Sequence, residues 1–177
     1  MTTESRNDRA FRPLNIAVLT VSDTRGLSDD RSGDLLVERV RDSGHQLFDR
    51  QIVRDDKYAI RAAVSAWIAD PACQAVISTG GTGLTGRDGT PEALRPLFDK
   101  EIEGFGEVFR WLSWQTIGTS TVQSRATAGV ANGTYLFVLP GSTSACRDAW
   151  DQIIRAQLDF RTGPCNMVEL MPRLNEQ

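Results

Sequence analysis

Three times in its N-terminal half the chain repeats one pattern: an apolar run of strand length, a polar turn, then a helical stripe. The runs are Asn15–Val21, Gln46–Val53 and 74–79, apolar nearly throughout in the first and at Ala75-Val76-Ile77 in the third. Strands covered on both faces read this way, and such covering is typical of a parallel sheet. After the first run, Leu35, Leu36, Val37 and Val40 form a stripe that Ser43-Gly44 stops. After the second, Asp56 stands at an N-cap position, Ile60, Val64, Trp67 and Ile68 recur at helical spacing, and Asp70-Pro71 closes the element. After the third, Thr90 is the expected N-cap of a helix over 91–98, with Pro91 at its first position. Strand, helix, strand repeated in this order predicts right-handed βαβ units and an α/β fold with a mostly parallel central sheet.

In such sheets ligands gather outside the carboxyl ends of the strands. Ser22-Asp23, Asp55-Asp56 and the glycine-rich stretch Ser78-Thr79-Gly80-Gly81-Thr82-Gly83-Leu84-Thr85-Gly86-Arg87-Asp88-Gly89 all fall there. A buried strand, a glycine turn and a helix start let backbone N–H groups converge on an anion. Glycine admits close approach and the positive φ that such turns need. Asp88 has the wrong charge for a phosphate unless a cation stands between them.

The C-terminal half continues the sheet. A helix over 105–114 carries Phe105, Val108, Phe109, Trp111, Leu112 and Trp114, apolar around most of its circumference, which suits either the core or a partner subunit. Residues 118–125, Gly-Thr-Ser-Thr-Val-Gln-Ser-Arg, read as a solvated loop or as a polar-ligand contact through Ser120 and Arg125. Segments 126–130 and 135–139 pair as a hairpin across Asn132-Gly133. The second of them ends in Pro140-Gly141-Ser142, a second strand–turn–helix nest before a helix over 145–158 with Trp150, Ile153, Ile154 and Leu158 on one side. Neither repeat nor linker interrupts 13–177, a single domain, and residues 1–12 read as a flexible arm.

The net charge of −3 and pI near 5.2 provide no basic field for nucleic acid, so an anionic ligand must be held by local groups or metal. Cys73, Cys146 and Cys165 are odd in number and lack a Cys-x-x-Cys, which argues against a disulfide framework and a zinc site and suits a reducing cytoplasm. The single histidine, His45, stands at a strand entrance where exposure or a structural hydrogen bond is expected. No apolar run reaches membrane-spanning length, and the polar N-terminus lacks the apolar region of a signal peptide.

Known phosphate motifs fit the loop incompletely. Gly81-Thr82-Gly83-Leu84-Thr85-Gly86 matches Gly-x-Gly-x-x-Gly, but Arg87, Asp88 and Gly89 intervene before the helix, which argues against the dinucleotide unit. The P-loop spacing is met by Gly81 and Gly86, yet Arg87 and Asp88 replace its lysine and metal-binding hydroxyl. What remains is a glycine loop beside Asp55 and Asp88. Paired carboxylates next to a phosphate cradle favour Mg2+ over a glycosidase couple, because Mg2+ takes one or two carboxylates plus phosphate oxygens. A turn-capping Asp88 beside a surface Asp55 is the structural alternative.

On these residues the chain resembles the MoaB/MogA family of molybdenum cofactor biosynthesis proteins. The matching pieces are Thr20-Val21-Ser22-Asp23, Asp55-Asp56, Thr79-Gly80-Gly81-Thr82-Gly83 with Arg87-Asp88, Thr90-Pro91-Glu92, Glu103-Gly104-Phe105-Gly106-Glu107, Ser124-Arg125-Ala126 with Gly129, and Leu139-Pro140-Gly141-Ser142. They run through roughly 13–167, and 118–121 and 161–166 look most like the MoaB branch. Arg54 stands where the family often has proline, and Gly89 where a β-branched residue is common. The resemblance implies a three-layer α/β/α sandwich of the molybdopterin-binding kind and a homo-oligomer, either a trimer or a dimer of trimers. It also implies a site for molybdopterin and ATP, where an adenylyltransferase would join the two with Mg2+. Under it Asp55 and Asp88 are the catalytic and metal-binding pair. Ser22, Asp23, Gly80, Gly81, Thr82, Gly83, Glu92, Ser120, Arg125, Pro140, Gly141 and Ser142 are the ligand-binding candidates. A protein that binds molybdopterin or its precursor without turnover is the alternative.

Overall fold

Burial on both sides explains the apolar runs. In the computed structural model, which describes residues 9–176, strands β1 (Asn15–Val21), β3 (Ala75–Thr79) and β6 (Thr134–Leu139) form the buried centre of a six-stranded sheet. With β2 (Gln46–Val53), β4 (Lys100–Glu101) and β5 (Thr127–Ala131), the order is β2-β1-β3-β6-β5-β4. β2, β1, β3 and β6 are parallel, whereas β5 pairs antiparallel with both β6 and β4. The β5–β6 register, Ala131 opposite Thr134, leaves Asn132 and Gly133 as the turn, with φ of 47° and 81°. Both positive values match the primed turn that Asn-Gly favours.

Side chains alternate across the sheet, so each buried strand feeds two cores. Ile16, Val18, Ile77, Tyr135 and Phe137 enter one cluster with α1 (Arg31–Asp42), α4 (Glu103–Ile117) and α5 (Thr143–Ala149). Ala17, Leu19, Val76, Leu136 and Val138 enter the other with α2 (Lys57–Ala69) and α3 (Thr90–Leu94). Helices on both faces make the three-layer α/β/α sandwich. From α5 the chain stays helical through a π turn, Trp150–Ile154, into α6 (Arg155–Gln157), and α7 (Met167–Leu170) follows near the C-terminus.

The N-caps follow local chemistry in part. Asp56 accepts from Tyr58 N–H and Ala59 N–H, as expected. Thr90 does not cap α3: Gly89 holds that position, and the Thr90 hydroxyl donates to Gly80 O at 2.9 Å. The hydroxyl has a carbonyl of the glycine turn within reach, so a tertiary bond displaces the local one. Asp30 caps α1 by accepting from Gly33 N–H, and it is fully buried. The Thr20 hydroxyl and an Arg50 guanidinium nitrogen donate to its other oxygen at 2.7 and 2.9 Å. One carboxylate thus joins β1, α1 and β2, a role no local pattern signals.

His45 is buried, not exposed, and its Nδ1 accepts from Leu14 N–H at 3.1 Å. It stands at the amino end of β2, the opposite edge from the strand ends that carry the carboxylates. Burial lowers its pKa from 6.5 to about 4, opposed by nearby Asp159. As pH falls, the unfolded chain takes up this proton first, so the stability it contributes is present above pH 6.5 and lost toward pH 4. The expected loss between pH 7 and pH 5 is about 2 kcal/mol. Urea midpoints at the two pH values should therefore fall further for the native chain than for His45→Asn; equal falls would contradict a buried neutral imidazole.

Residues 1–8 of the expected arm lie outside the described residues. From Arg9 onward the chain is docked: Arg9 pairs with Glu169, the Arg12 guanidinium lies 3.5 Å from the Phe160 ring centroid, and Phe11 packs against His45. The helix expected over 105–114 extends over Glu103–Ile117 and divides its apolar load. Phe105 and Phe109 enter the core, whereas Val108, Trp111, Trp114 and Ile117 face outward, the two tryptophans at 64% and 55% exposure. No helix among the described residues is long and apolar enough to cross a membrane.

Candidate functional site

The glycine turn is held by backbone geometry before any ligand is considered. Gly80 has φ of +97° and Gly81 of +62°. A Cβ on Gly80 would stand 2.2 Å from Val21 O, and one on Gly81 would meet Thr90 Oγ1 and Asp55 Oδ2 at 2.3 and 2.6 Å. Gly80 N–H donates to Leu139 O at 3.1 Å, and Thr90 N–H to Gly81 O at 2.9 Å. Gly83 N–H turns to the Asp88 carboxylate. Of the N–H groups of Gly80 to Gly83, those of Gly81 and Thr82 make no hydrogen bond among the described residues.

Carboxylates surround this turn. Asp55 follows β2, and its Oδ1 accepts from Gly89 N–H at 3.2 Å. Its own N–H donates to Asp23 Oδ1 at 3.2 Å, and Asp23 pairs with Arg87. Burial, with Asp88 and Asp23 adding repulsion, pushes the Asp55 carboxyl above its ordinary range against the Gly89 hydrogen bond. The Thr85 hydroxyl and N–H groups of Thr85 and Gly83 hold Asp88 below its ordinary range. The two aspartates thus meet at one loop from different segments and in different surroundings: Asp88 held ionised by its donors, Asp55 disfavoured as an anion by burial and by its neighbours' charge.

Arg125 explains its own position in the sequence. Its Nε donates to Thr82 O and a terminal nitrogen to Asp88 O, both at 3.1 Å, and it pairs with Glu92. It braces the glycine loop from behind, with Glu92 as its counter-charge. Ser120 is not brought to this place; it sits exposed on the 3-10 turn Gly118–Gln123 beside the outward Ile117 and Val122.

The second turn meets the first directly, because a Cβ on Gly141 would stand 3.3 Å from Gly80 Cα. Pro140 O accepts from the Thr79 hydroxyl and Gly141 O from the Ser32 hydroxyl, both at 2.9 Å, and Ser142 Oγ caps α5. Between the turns and the end of β1 lies a cleft of about 420 Å³, lined by Ser22, Gly80, Gly81, Gly141 and Ser142 among others. Of the sequence candidates, all except Ser120 lie in the two glycine turns, in the cleft between them or its second-turn wall, in the Arg125–Glu92 brace, or, as Asp23 and Asp55 do, in hydrogen-bond or ion-pair contact with the glycine loop.

Among the described residues no group of three His, Cys, Asp or Glu side chains forms a metal cage. Asp55 and Asp88 nevertheless fit Mg2+, which takes one or two carboxylates and completes its shell with phosphate oxygens and water. Burial is the main cause of the raised Asp55 pKa, and the repulsion that Asp88 and Asp23 add to it is what a cation at this loop would relieve.

An open α/β/α sheet with two glycine turns and an aspartate group outside the carboxyl ends of its strands belongs to the class of doubly wound α/β proteins, in which ligands generally bind at that crevice. Residues 17–159 match the family model described as "Probable molybdopterin binding domain". Molybdenum cofactor biosynthesis protein B of Escherichia coli (strain K12) is 61% identical over 156 residues, spanning 88% of this chain and 92% of that protein. A crystal structure of a molybdenum cofactor biosynthesis protein B aligns with a TM-score of 0.82 at 41% identity, covering 85% of this chain and 94% of that one. The tungsten cofactor synthesizing protein MoaB from Pyrococcus furiosus aligns at 0.71 and 38%, covering 82% and 92%. The chain belongs to the molybdopterin-binding-domain family of molybdenum cofactor biosynthesis proteins.

Proposed function

We propose that the protein acts in molybdenum cofactor biosynthesis as an Mg2+-dependent adenylyltransferase that joins molybdopterin to ATP. The observation that carries this reading is the meeting of Asp55, Asp88 and Asp23 at a glycine turn with N–H donors to spare. In the reaction, an oxygen of the molybdopterin phosphate attacks the α-phosphorus of ATP. The new P–O bond forms as the bond to the bridging oxygen breaks, and pyrophosphate leaves with that electron pair. The attacking phosphate is already anionic, so no general base is needed, consistent with a histidine at the far edge of the sheet. Positioning and charge neutralisation supply the rate. Mg2+ held by Asp55 and Asp88 would supply the neutralising charge. Gly81 N–H and Thr82 N–H orient one phosphate, the Gly141-Ser142 turn adjoins it, and Arg125 keeps the loop in place.

The proposed setting is the cytoplasm, in keeping with three free cysteines, and the proposed assembly is a trimer or a dimer of trimers that covers Trp111 and Trp114. A second reading, binding of molybdopterin or its precursor without turnover, is favoured by one observation: Asp88 is already saturated by Thr85 and Gly83, as a turn cap would be. Purified protein incubated with molybdopterin, ATP and Mg2+ separates the two. Adenylylated pterin and pyrophosphate are the expected products; tight pterin binding without either would leave the binding reading in place.

A further inference from the structure

The cleft between the glycine turns is bordered by carboxylates, yet a ligand of the proposed reaction is itself polyanionic. Among the described residues one charged side chain lines that cleft, Arg25. It lies in the loop after β1, and its backbone N–H is anchored to Ser22 Oγ at 3.1 Å. Its guanidinium reaches across to the second turn, where Nη1 meets Gly141 O at 3.5 Å, the outer limit of a hydrogen bond.

Of the other arginines around the site, Arg54 is also without an ion pair among the described residues, but it lines the neighbouring hollow by Ile52 and Val53 and not this cleft, and three more are committed. Arg87 pairs with Asp23, Arg125 with Glu92, and Arg50 with Asp30 and Asp34. Arg25 makes no ion pair among the described residues. An uncommitted guanidinium over two backbone turns has the geometry for a phosphate: planar donors on one side, N–H groups on the other. A long contact to a neutral carbonyl is readily exchanged for a charged oxygen.

We propose that Arg25 is a phosphate-binding residue, closing over a substrate phosphate seated between Gly80-Gly81 and Gly141-Ser142. The inference rests on the adenylyltransferase reading and adds to it a cation from the protein. The phosphate can come from either substrate, ATP or molybdopterin, and the measurement separates them.

Calorimetric titrations of the native chain, Arg25→Ala and Arg25→Lys with ATP, inorganic pyrophosphate and molybdopterin, each alone, test it. Loss of a charge-assisted pair weakens binding about tenfold to a hundredfold. The expected result is a weakening of this size for Arg25→Ala in the ATP and pyrophosphate arms, in the molybdopterin arm, or in both, with partial recovery in Arg25→Lys. The arm that responds identifies the phosphate. Thermal midpoints equal to the native one should accompany it, since the side chain is exposed. Binding by Arg25→Ala equal to native binding overturns the assignment and leaves the adenylyltransferase reading standing. Weakened binding in Arg25→Ala with a matching fall in thermal midpoint also overturns it, in favour of a structural role. A native chain that binds ATP in no condition overturns the adenylyltransferase reading; Arg25 then keeps its assignment if molybdopterin binding weakens in Arg25→Ala and loses it if that binding is unchanged.

Discussion

Under the proposed adenylyltransferase reading, Asp55→Asn is expected to lower the rate of adenylylation by roughly 100- to 1,000-fold, the usual effect of removing one preorganised charge-stabilising group. The fold survives this change. Asparagine keeps an oxygen for Gly89 N–H and fills the same space, and it removes a carboxylate that burial, Asp88 and Asp23 disfavour. Thermal stability is therefore expected to stay level or rise slightly while turnover collapses, the reverse of what a structural aspartate would show. Asp88→Asn should lose turnover too, with a small fall in stability, because Thr85 and Gly83 donate to an ionised group there. Rates at saturating ATP and Mg2+, set beside thermal melts of the same preparations, decide the matter. Native turnover in Asp55→Asn would remove it from the chemistry.

Gly80→Ala has the largest expected effect on folding. The residue is at φ +97°, and the added methyl would stand 2.2 Å from the Val21 carbonyl oxygen. Backbone strain and a collision with rigid backbone cost about 2–5 kcal/mol together. For a chain of this length that is a fall on the order of 10 °C in thermal midpoint. Gly86→Ala is the matched control, since its Cβ meets nothing within 4 Å and its φ is not positive. It should be within about 0.5 kcal/mol of the native chain, as surface substitutions usually are. If the two variants melt together, the turn does not have the geometry described above.

The strand ends were legible because the signals there are local. A doubly covered strand is apolar at successive positions, as in Val76-Ile77, and Asn132-Gly133 has few turns open to it. The outcome at Thr90 shows the limit of such reasoning. Its sequence context is that of an N-cap, yet its hydroxyl bonds Gly80 O, ten positions away and brought near by the turn. β4 was invisible for a related reason: Lys100-Glu101 has no strand pattern and exists because β5 offers an edge. The π turn at Trp150–Ile154 likewise left no mark in an otherwise helical stripe.

By itself the sequence determined the α/β class, the parallel succession of strands and the three loops that would share one edge, because hydrophobic period and turn chemistry act over a few residues. Tertiary structure alone decided how the groups of those loops are used. It directed Gly80 N–H to Leu139 O and Arg125 to the back of the loop, left Ser120 outside, and set Asp55 among other carboxylates. Hydrogen bonds and charge repulsion depend on distances between segments far apart in the chain, and those distances exist only once the sheet has formed.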